Sequence, residues 1–382
     1  RADFPGLPII ALTATATETV RADILKQLRL RQPKVFISSF NRPNLTYRVI
    51  PKQQAFRRLV ELLQRYRGES VIIYCFSRKG TEELAQRLNS HSFKAAAYHA
   101  GLNGDMRQRI QEQFIRDETN IIVATIAFGM GIDKPDVRLV VHYDLPKSVE
   151  GYYQETGRAG RDGLPAECAL FFSYADKRKH AYFIEQMTHS DARANAWQQL
   201  TQVVTYGELQ QCRRRFLLGY FGENYPAENC ATCDVCTHQT VDAPPEALTY
   251  DPALFDQLRV VRKQLAEQLG VPPYIIFGNV SLQEMATYFP QQPATLLQIS
   301  GVGNQKLTQF GEHFLAVIRP YAQMHRLAER VKPAAPPASV YLSSTYDTTK
   351  QLLLQKRSIA DMSEERKLAA STILSHIEKL AA

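Results

Sequence analysis

The chain has 382 residues and a formal net charge of +8 at pH 7, with 45% hydrophobic and 22% charged residues. That balance excludes a wholly disordered or collagen-like chain, and no apolar run nears the ~18 residues needed to cross a bilayer, which excludes a membrane-spanning role. The length argues for two or three domains, and the modest basic excess is compatible with a polyanionic partner. Position 1 is Arg and no secretory signal follows it, so we expect a portion of a longer chain.

Residues 1–172 alternate strand and helix. Apolar runs at 9–12, 35–38, 71–76, 95–98, 121–124, 137–142 and 169–172 predict strands. Helical spacing lies between them. The segment 17–28 opens on Thr17, 55–66 sets Phe56, Leu59, Val60 and Leu63 on one face, and 78–90 and 105–117 are similar. Such alternation predicts βαβ units around a mostly parallel sheet, an α/β lobe. Residues 174–240 turn helical and basic, with Lys177-Arg178-Lys179 and Arg213-Arg214-Arg215, and end in a cysteine cluster. Pro244-Pro245 marks 241–250 as a linker. Residues 251–330 are helical by periodicity, over 254–269, 281–288, 295–298 and 306–318. A Pro/Ala spacer at 331–340 precedes a last small helical unit, 341–382.

The cluster reads C-x17-C-x2-C-x2-C: Cys212, Cys230, Cys233 and Cys236. Four thiolates suffice for a closed tetrahedral zinc site, with no position left for water, so its role is structural. His238 is nearby but redundant. Cys75 and Cys168 lie in apolar runs and read as buried, inert thiols. A reduced, cytosolic setting fits this pattern better than a disulfide framework.

Four strand-end stretches are candidates to carry chemistry. QETGRAGRDG (154–163) sets Arg158 and Arg161 three apart, each beside glycine. Guanidinium forks suit charge developing on a transferring γ-phosphoryl group, although a basic turn capped by Asp162 is the structural alternative. IIVATIAFGMGID (121–133) runs from a strand through Thr125, Gly129 and Gly131 to Asp133. Hydroxyl and glycine N–H groups there suit phosphate, and Asp133 can bond a ribose or hold an arginine. ALTATA (11–16) suits contact between two lobes or a Thr-rich helix cap. VIIYCFSRKGTEELA (71–85) leads a strand through Ser77-Arg78-Lys79 into a helix N-terminus that can hold a backbone phosphate.

Taken in chain order, ALTATA, VIIYCFSRKGTEELA, residues 121–148 with GMGIDKPDVRLVVHYDLPKS, and YYQETGRAGRDG resemble motifs III, IV, V and VI of superfamily 2 helicases, in the wording of the RecQ family. The resemblance implies the end of a first motor lobe at 1–18 and a second RecA-like lobe at 19–175. It implies a helical zinc subdomain at 176–240, which LLGYFGE (217–223) also matches. Residues 251–330 resemble the HRDC bundle through LFDQLRVVRKQLAEQLGVPPYIIFGNVSLQEMA and LLQISGVGNQKLTQFGEHFLAVI. There, Gly301-Val302-Gly303 before Lys306 fits either a phosphate-binding helix entry or a plain interhelical turn. Residues 341–382, with SIADMSEERKLAASTILSHIEKL, resemble a helix-turn-helix, with a three-helix interaction module as the alternative.

By the same resemblance the activity is ATP-dependent 3′-to-5′ DNA unwinding in repair, recombination and replication. Arg158 and Arg161 face the γ-phosphate, Arg161 as the finger. Gln154 couples nucleotide to DNA, and Asp133 and Gly131 lie at the nucleotide's edge. Ser77, Arg78, Thr125 and Lys306 meet DNA. Zinc, ATP and Mg²⁺ are the implied cofactors, and single-stranded and partly duplex DNA the substrate. Repair or replication proteins are the implied partners, and a bacterial-type cytoplasm, at the nucleoid, the location.

Two departures stand out. The sequence contains no G-x-x-x-x-G-K-[ST] and no DEAH- or DExx-like box ahead of ALTATA, so ATP and Mg²⁺ need a lobe these residues do not supply. Only residues 237–250 separate zinc cluster from bundle, too few for the winged-helix domain of many RecQ proteins. Two other readings stay open: a DNA-binding or adaptor segment with no ATPase cycle of its own, and an RNA helicase.

Overall fold

Strands buried on both faces must be apolar throughout, and the runs SVIIY, IIVA and VRLVVH meet that demand. The computed structural model describes residues 7, 9–30, 32–125, 128, 133–238, 250–330, 332, 352–353, 358–359, 361–362 and 373. Its elements begin with α1 (Glu18–Gln27), β1 (Leu45–Pro51), α2 (Ala55–Arg65), β2 (Ser70–Tyr74), α3 (Arg78–Ser90), β3 (Ala95–Tyr98), α4 (Gly104–Ile115) and β4 (Ile121–Ala124). They continue with β5 (Val137–His142), α5 (Val149–Thr156), β6 (Ala166–Phe172), α6 (Tyr174–Glu185), α7 (Ser190–Glu208), α8 (Arg213–Tyr220) and α9 (Asp234–Thr237). The last are α10 (Pro252–Leu269), α11 (Pro273–Ile276), α12 (Asn279–Tyr288), α13 (Pro293–Leu296) and α14 (Asn304–Met324).

The sheet is parallel throughout, in the order β1-β6-β5-β2-β4-β3. The period-2 alternation of strands divides its side chains between two cores. Ile72, Tyr74, Ile122, Val140 and Leu170 face a cluster that includes Phe114 of α4, Tyr152 of α5 and Tyr206 of α7. Val71, Ile73, Val123, Val141 and Phe171 face Leu59, Leu62 and Leu63 of α2 and Leu84 and Leu88 of α3. Burying one such side chain fully contributes about 1.5–3 kcal/mol. The helix starts are set by local chemistry: Thr17, Ser77, Asn103, Ser148 and Ser173 each cap a helix with a side-chain oxygen.

Two expected strands do not form. Residues 9–12 and 35–38 are extended, Ile10, Leu12 and Phe36 are exposed, and among the described residues no strand pairs with either segment. The edge of the sheet is instead β1, which lacks a continuous apolar run because it carries Arg48, buried against Glu167 at 3.2 Å.

The second bundle packs around Leu258, Phe277, Met285, Phe314 and Ile318. Asp251 caps α10, accepting from the Ala253 and Leu254 N–H groups, with Pro252 at the first helical position. Gly270, at φ +66°, ends that helix in the left-handed conformation. A buried polar seam joins bundle and sheet lobe. Asp117 lies 2.7 Å from Lys134 and 3.1 Å from Arg262, and Arg262 also donates to the Phe277 carbonyl at 2.9 Å. Glu69 accepts from Asn279 at 2.7 Å and from Gln283.

By contact density the chain divides into two units, residues 1–36 with 40–331 and residues 37–39 with 332–382. In the second, Leu352, Ile359, Met362 and Ile373 cluster, and Ser358 and Asp361 cap one another. The helix-turn-helix expected at 341–382 otherwise lies outside the described residues, as does the 331–340 spacer apart from Lys332.

Candidate nucleic-acid interface and metal centre

In open parallel sheets ligands gather at the carboxyl ends of the strands, and Ser77, Arg78 and Thr125 fall there. Ser77 follows β2 and caps α3, its Oγ accepting from the Gly80 N–H at 3.1 Å. Arg78 lies against Gly101, where a Cβ would come within 3.3 Å of the guanidinium. His99, after β3, accepts from the Gly101 N–H at Nδ1, which leaves the Nε2 proton for Glu82 at 2.9 Å. Thr125 leaves β4 half-buried, its N–H on the Tyr98 carbonyl. Asp144, after β5, accepts from the Phe76 N–H at 2.8 Å and from Lys52 at 2.6 Å. Burial pushes its carboxyl up, but Lys52 and that N–H outweigh burial and hold it below the usual range.

The turn after α5 is clamped. Arg42 donates to the Ala159 and Gly160 carbonyls at 3.0 and 2.7 Å, and Asn44 to the Gly160 carbonyl at 2.8 Å. Gly160, at φ +53°, has no room for a Cβ, which would meet Asn44 at 2.6 Å. Arg138 holds both Asp162 oxygens at 2.6 Å, so the Asp162-capped turn is real and is the frame on which the arginines stand. Arg158 is buried, with its guanidinium by the Tyr74 hydroxyl. Arg161 Nη1 reaches Asp133 Oδ1 at 2.9 Å, the arginine-holding role open to Asp133 from sequence. Gln154 is exposed on α5. Gly131 lies outside the described residues. Tyr274 of α11 donates to the Asp133 carbonyl at 3.2 Å, which brings the bundle to this edge.

The Sγ atoms of Cys212, Cys230, Cys233 and Cys236 all lie within 4.8 Å of one another, and His238 is not among them. The Cys230 N–H donates to Cys236 Sγ at 3.4 Å and the Cys233 N–H to Cys230 Sγ at 3.3 Å, as backbone groups around bound thiolates do. Hydrogen bonds from Cys212 and Cys233 hold the Cys230 sulfur toward its thiolate form, and those with Cys212 and Cys230 push Cys233 up. Four converging soft donors fit zinc in a closed tetrahedral site. Cys75 and Cys168 are buried thiols whose pKa burial raises.

The run Arg213-Arg214-Arg215, which helps make 174–240 basic, is largely structural. Arg213 is buried and pairs with Asp234 at 2.5 Å. Arg214, also buried, donates to Asn41 and to the Arg42 and Leu45 carbonyls. Asp234 in turn accepts from the Val49 N–H at 2.9 Å, so the metal knuckle blunts the free edge of β1. Only Arg215 of the three is exposed. Lys306 sits half-buried, 5.7 Å from the Phe277 ring centroid, and burial lowers its pKa.

Sequence reasoning missed the clamp residues Arg42, Asn44 and Arg138, whose partners are distant in sequence. It also passed over the spacing of Arg178 and Lys179 ahead of Tyr182 and Phe183, which a helical projection of 174–185 would have displayed.

Three family models match the chain: the helicase conserved C-terminal domain at 54–163, RecQ zinc-binding at 174–237 and the HRDC domain at 251–318. They define a helicase's C-terminal motor lobe followed by a zinc-binding segment and a helical bundle. Among curated relatives, the ATP-dependent DNA helicase RecQ of Haemophilus influenzae is 33% identical, with 84% of this chain and 71% of that protein covered. The protein of the same description from Bacillus subtilis is 33% identical, over 83% of this chain and 71% of that one. The RecQ-like DNA helicase blm-1 of Caenorhabditis elegans is 44% identical over 68% of this chain and 27% of its own. The chain belongs to the RecQ helicase family. The first two alignments run over 438 and 420 positions, more than the 382 residues of this chain, so those relatives carry insertions relative to it. A solved structure of S. cerevisiae Dbp5 bound to RNA and ADP BeF3 is similar over 50% of this chain and 47% of that one, at 21% identity and a TM-score of 0.39.

Proposed function

We propose that these residues form the second motor lobe, zinc segment and bundle of an ATP-dependent DNA helicase that moves 3′ to 5′ along single-stranded DNA. The observation that carries this is the order of the three family matches on a chain that aligns with RecQ helicases over more than four-fifths of its length. Relatives described as DNA helicases weigh against the RNA reading.

In this reading Arg161 exchanges Asp133 for the γ-phosphate of ATP, and Arg158, anchored beside Tyr74, holds the neighbouring phosphate charge. Gln154 relays the nucleotide's state to DNA, and Asp133 and Gly131 border the ribose. Mg²⁺ and the β- and γ-phosphates are held by a phosphate-cradling lobe. Ser77, Arg78 and Thr125 take DNA phosphates at the strand ends; Lys306 is a weaker candidate because it lies over Phe277. Zinc on the four cysteines holds the edge of β1 and does no chemistry. The work is assigned to the nucleoid, in the cytoplasm, alongside repair or replication proteins. Among the described residues no helix is long and apolar enough to cross a membrane.

The test uses residues 1–382 alone. They should bind single-stranded DNA with an affinity that falls steeply with salt, since phosphate contacts release counterions. They should release no phosphate from ATP, since an arginine without a positioned phosphate stabilises nothing. Salt-independent binding, or none, would move the reading to a protein-docking adaptor.

A further inference from the structure

We propose that the exposed face of α6 is a base-stacking platform for single-stranded DNA, extending the track that begins at Ser77 and Arg78. The proposal rests on the nucleic-acid reading above. On α6, Arg178 stands one turn before Tyr182 and Lys179 one turn before Phe183, so two cation–aromatic rows share a face. Tyr182 is 61% exposed and Phe183 53%. The opposite face, with Asp176, His180 and Ile184, is buried and fixes the rotation of the helix.

The rings are held in place. Tyr182 and Phe183 meet edge-on with centroids 5.5 Å apart, and Phe183 lies 5.5 Å from Phe76. Phe76 lies 5.0 Å from His180 and directly precedes Ser77, which makes the aromatic patch continuous with the strand-end loop. Lys179 leans toward Asp176 at 3.1 Å and Asp144 at 3.7 Å yet stays 52% exposed. Arg178 is exposed, and Glu185 is the acid at the far end of the helix. Aromatic faces interleaved with cations suit a polyanion whose every unit also carries a flat ring, which is single-stranded nucleic acid.

The experiment measures anisotropy of a fluorescein-labelled oligothymidylate of about 20 nucleotides, and of its abasic counterpart, with the full zinc-loaded chain. Both aromatics are exposed, so Tyr182→Ala/Phe183→Ala should keep its circular dichroism and zinc content. That variant should bind the oligothymidylate roughly tenfold or more weakly at every salt concentration, with an unchanged salt slope, because stacking releases no counterions. Arg178→Ala should instead lower the slope by about one. Removing the bases should weaken the wild-type chain and leave the aromatic double variant no weaker than before. Wild-type binding with a double variant within about twofold of it on both oligonucleotides would overturn this proposal alone and assign the face to a protein partner. A wild-type chain that binds neither oligonucleotide would overturn the reading beneath it as well.

Discussion

Asp133 Oδ1 accepts from Arg161 Nη1 at 2.9 Å, tying the end of the β4 exit loop to the second arginine of the GRAGRDG turn. The aspartate is 89% exposed and the arginine 35%. A pair so wet is worth about 0–1 kcal/mol. Its neighbour is built differently: Arg138 is buried and holds both Asp162 oxygens at 2.6 Å, which fixes the turn that carries Arg161.

Purified protein should contain about one zinc per chain. Cys233→Ser should lower that content and unfold the segment around α8 and α9, since a structural metal supplies folding free energy. Loss should also release Asp234 from Val49, which hydrogen exchange at the β1 edge would register. A metal-free protein of unchanged stability would refute the site.

Arg262→Ala should destabilise the seam between sheet lobe and bundle by about 3–5 kcal/mol, because it leaves Asp117 short of a buried partner. Denaturant midpoints equal to wild type for Arg262→Ala would contradict the seam.

Glu69 is buried, and burial pushes its carboxyl above the ordinary range despite the Asn279 amide. The unfolded chain therefore ionises first as pH rises, and stability falls between the ordinary and the raised value. Glu69→Gln should remove the part of the stability loss that sets in as pH rises above the ordinary carboxylate range, read from thermal midpoints against pH. An identical pH slope in the two proteins would show that another group is responsible.

The buried strands were legible because burial on both faces demands apolar runs, and β2, β4 and β5 have them. The edge strand β1 was not, because a paired Arg48 interrupts it, and 9–12 and 35–38 misled because an apolar run is a strand only where a neighbour pairs with it. The cysteines were readable from spacing alone, since three ligands come from one turn. Arg213 and Arg214 were not: their partners are Asp234 and carbonyls near β1, and local sequence shows charge but not what neutralises it. The seam of Asp117, Lys134 and Arg262 was hidden for the same reason.

The most direct test of the central claim is phosphate release from ATP, with and without single-stranded DNA, by the protein in which these residues accompany a phosphate-cradling lobe. Arg161→Ala should leave nucleotide binding largely intact and cut DNA-stimulated turnover on the order of 10³-fold, as loss of a transition-state guanidinium does. Turnover within a few-fold of wild type would contradict the account and leave Arg161 as no more than the partner of Asp133.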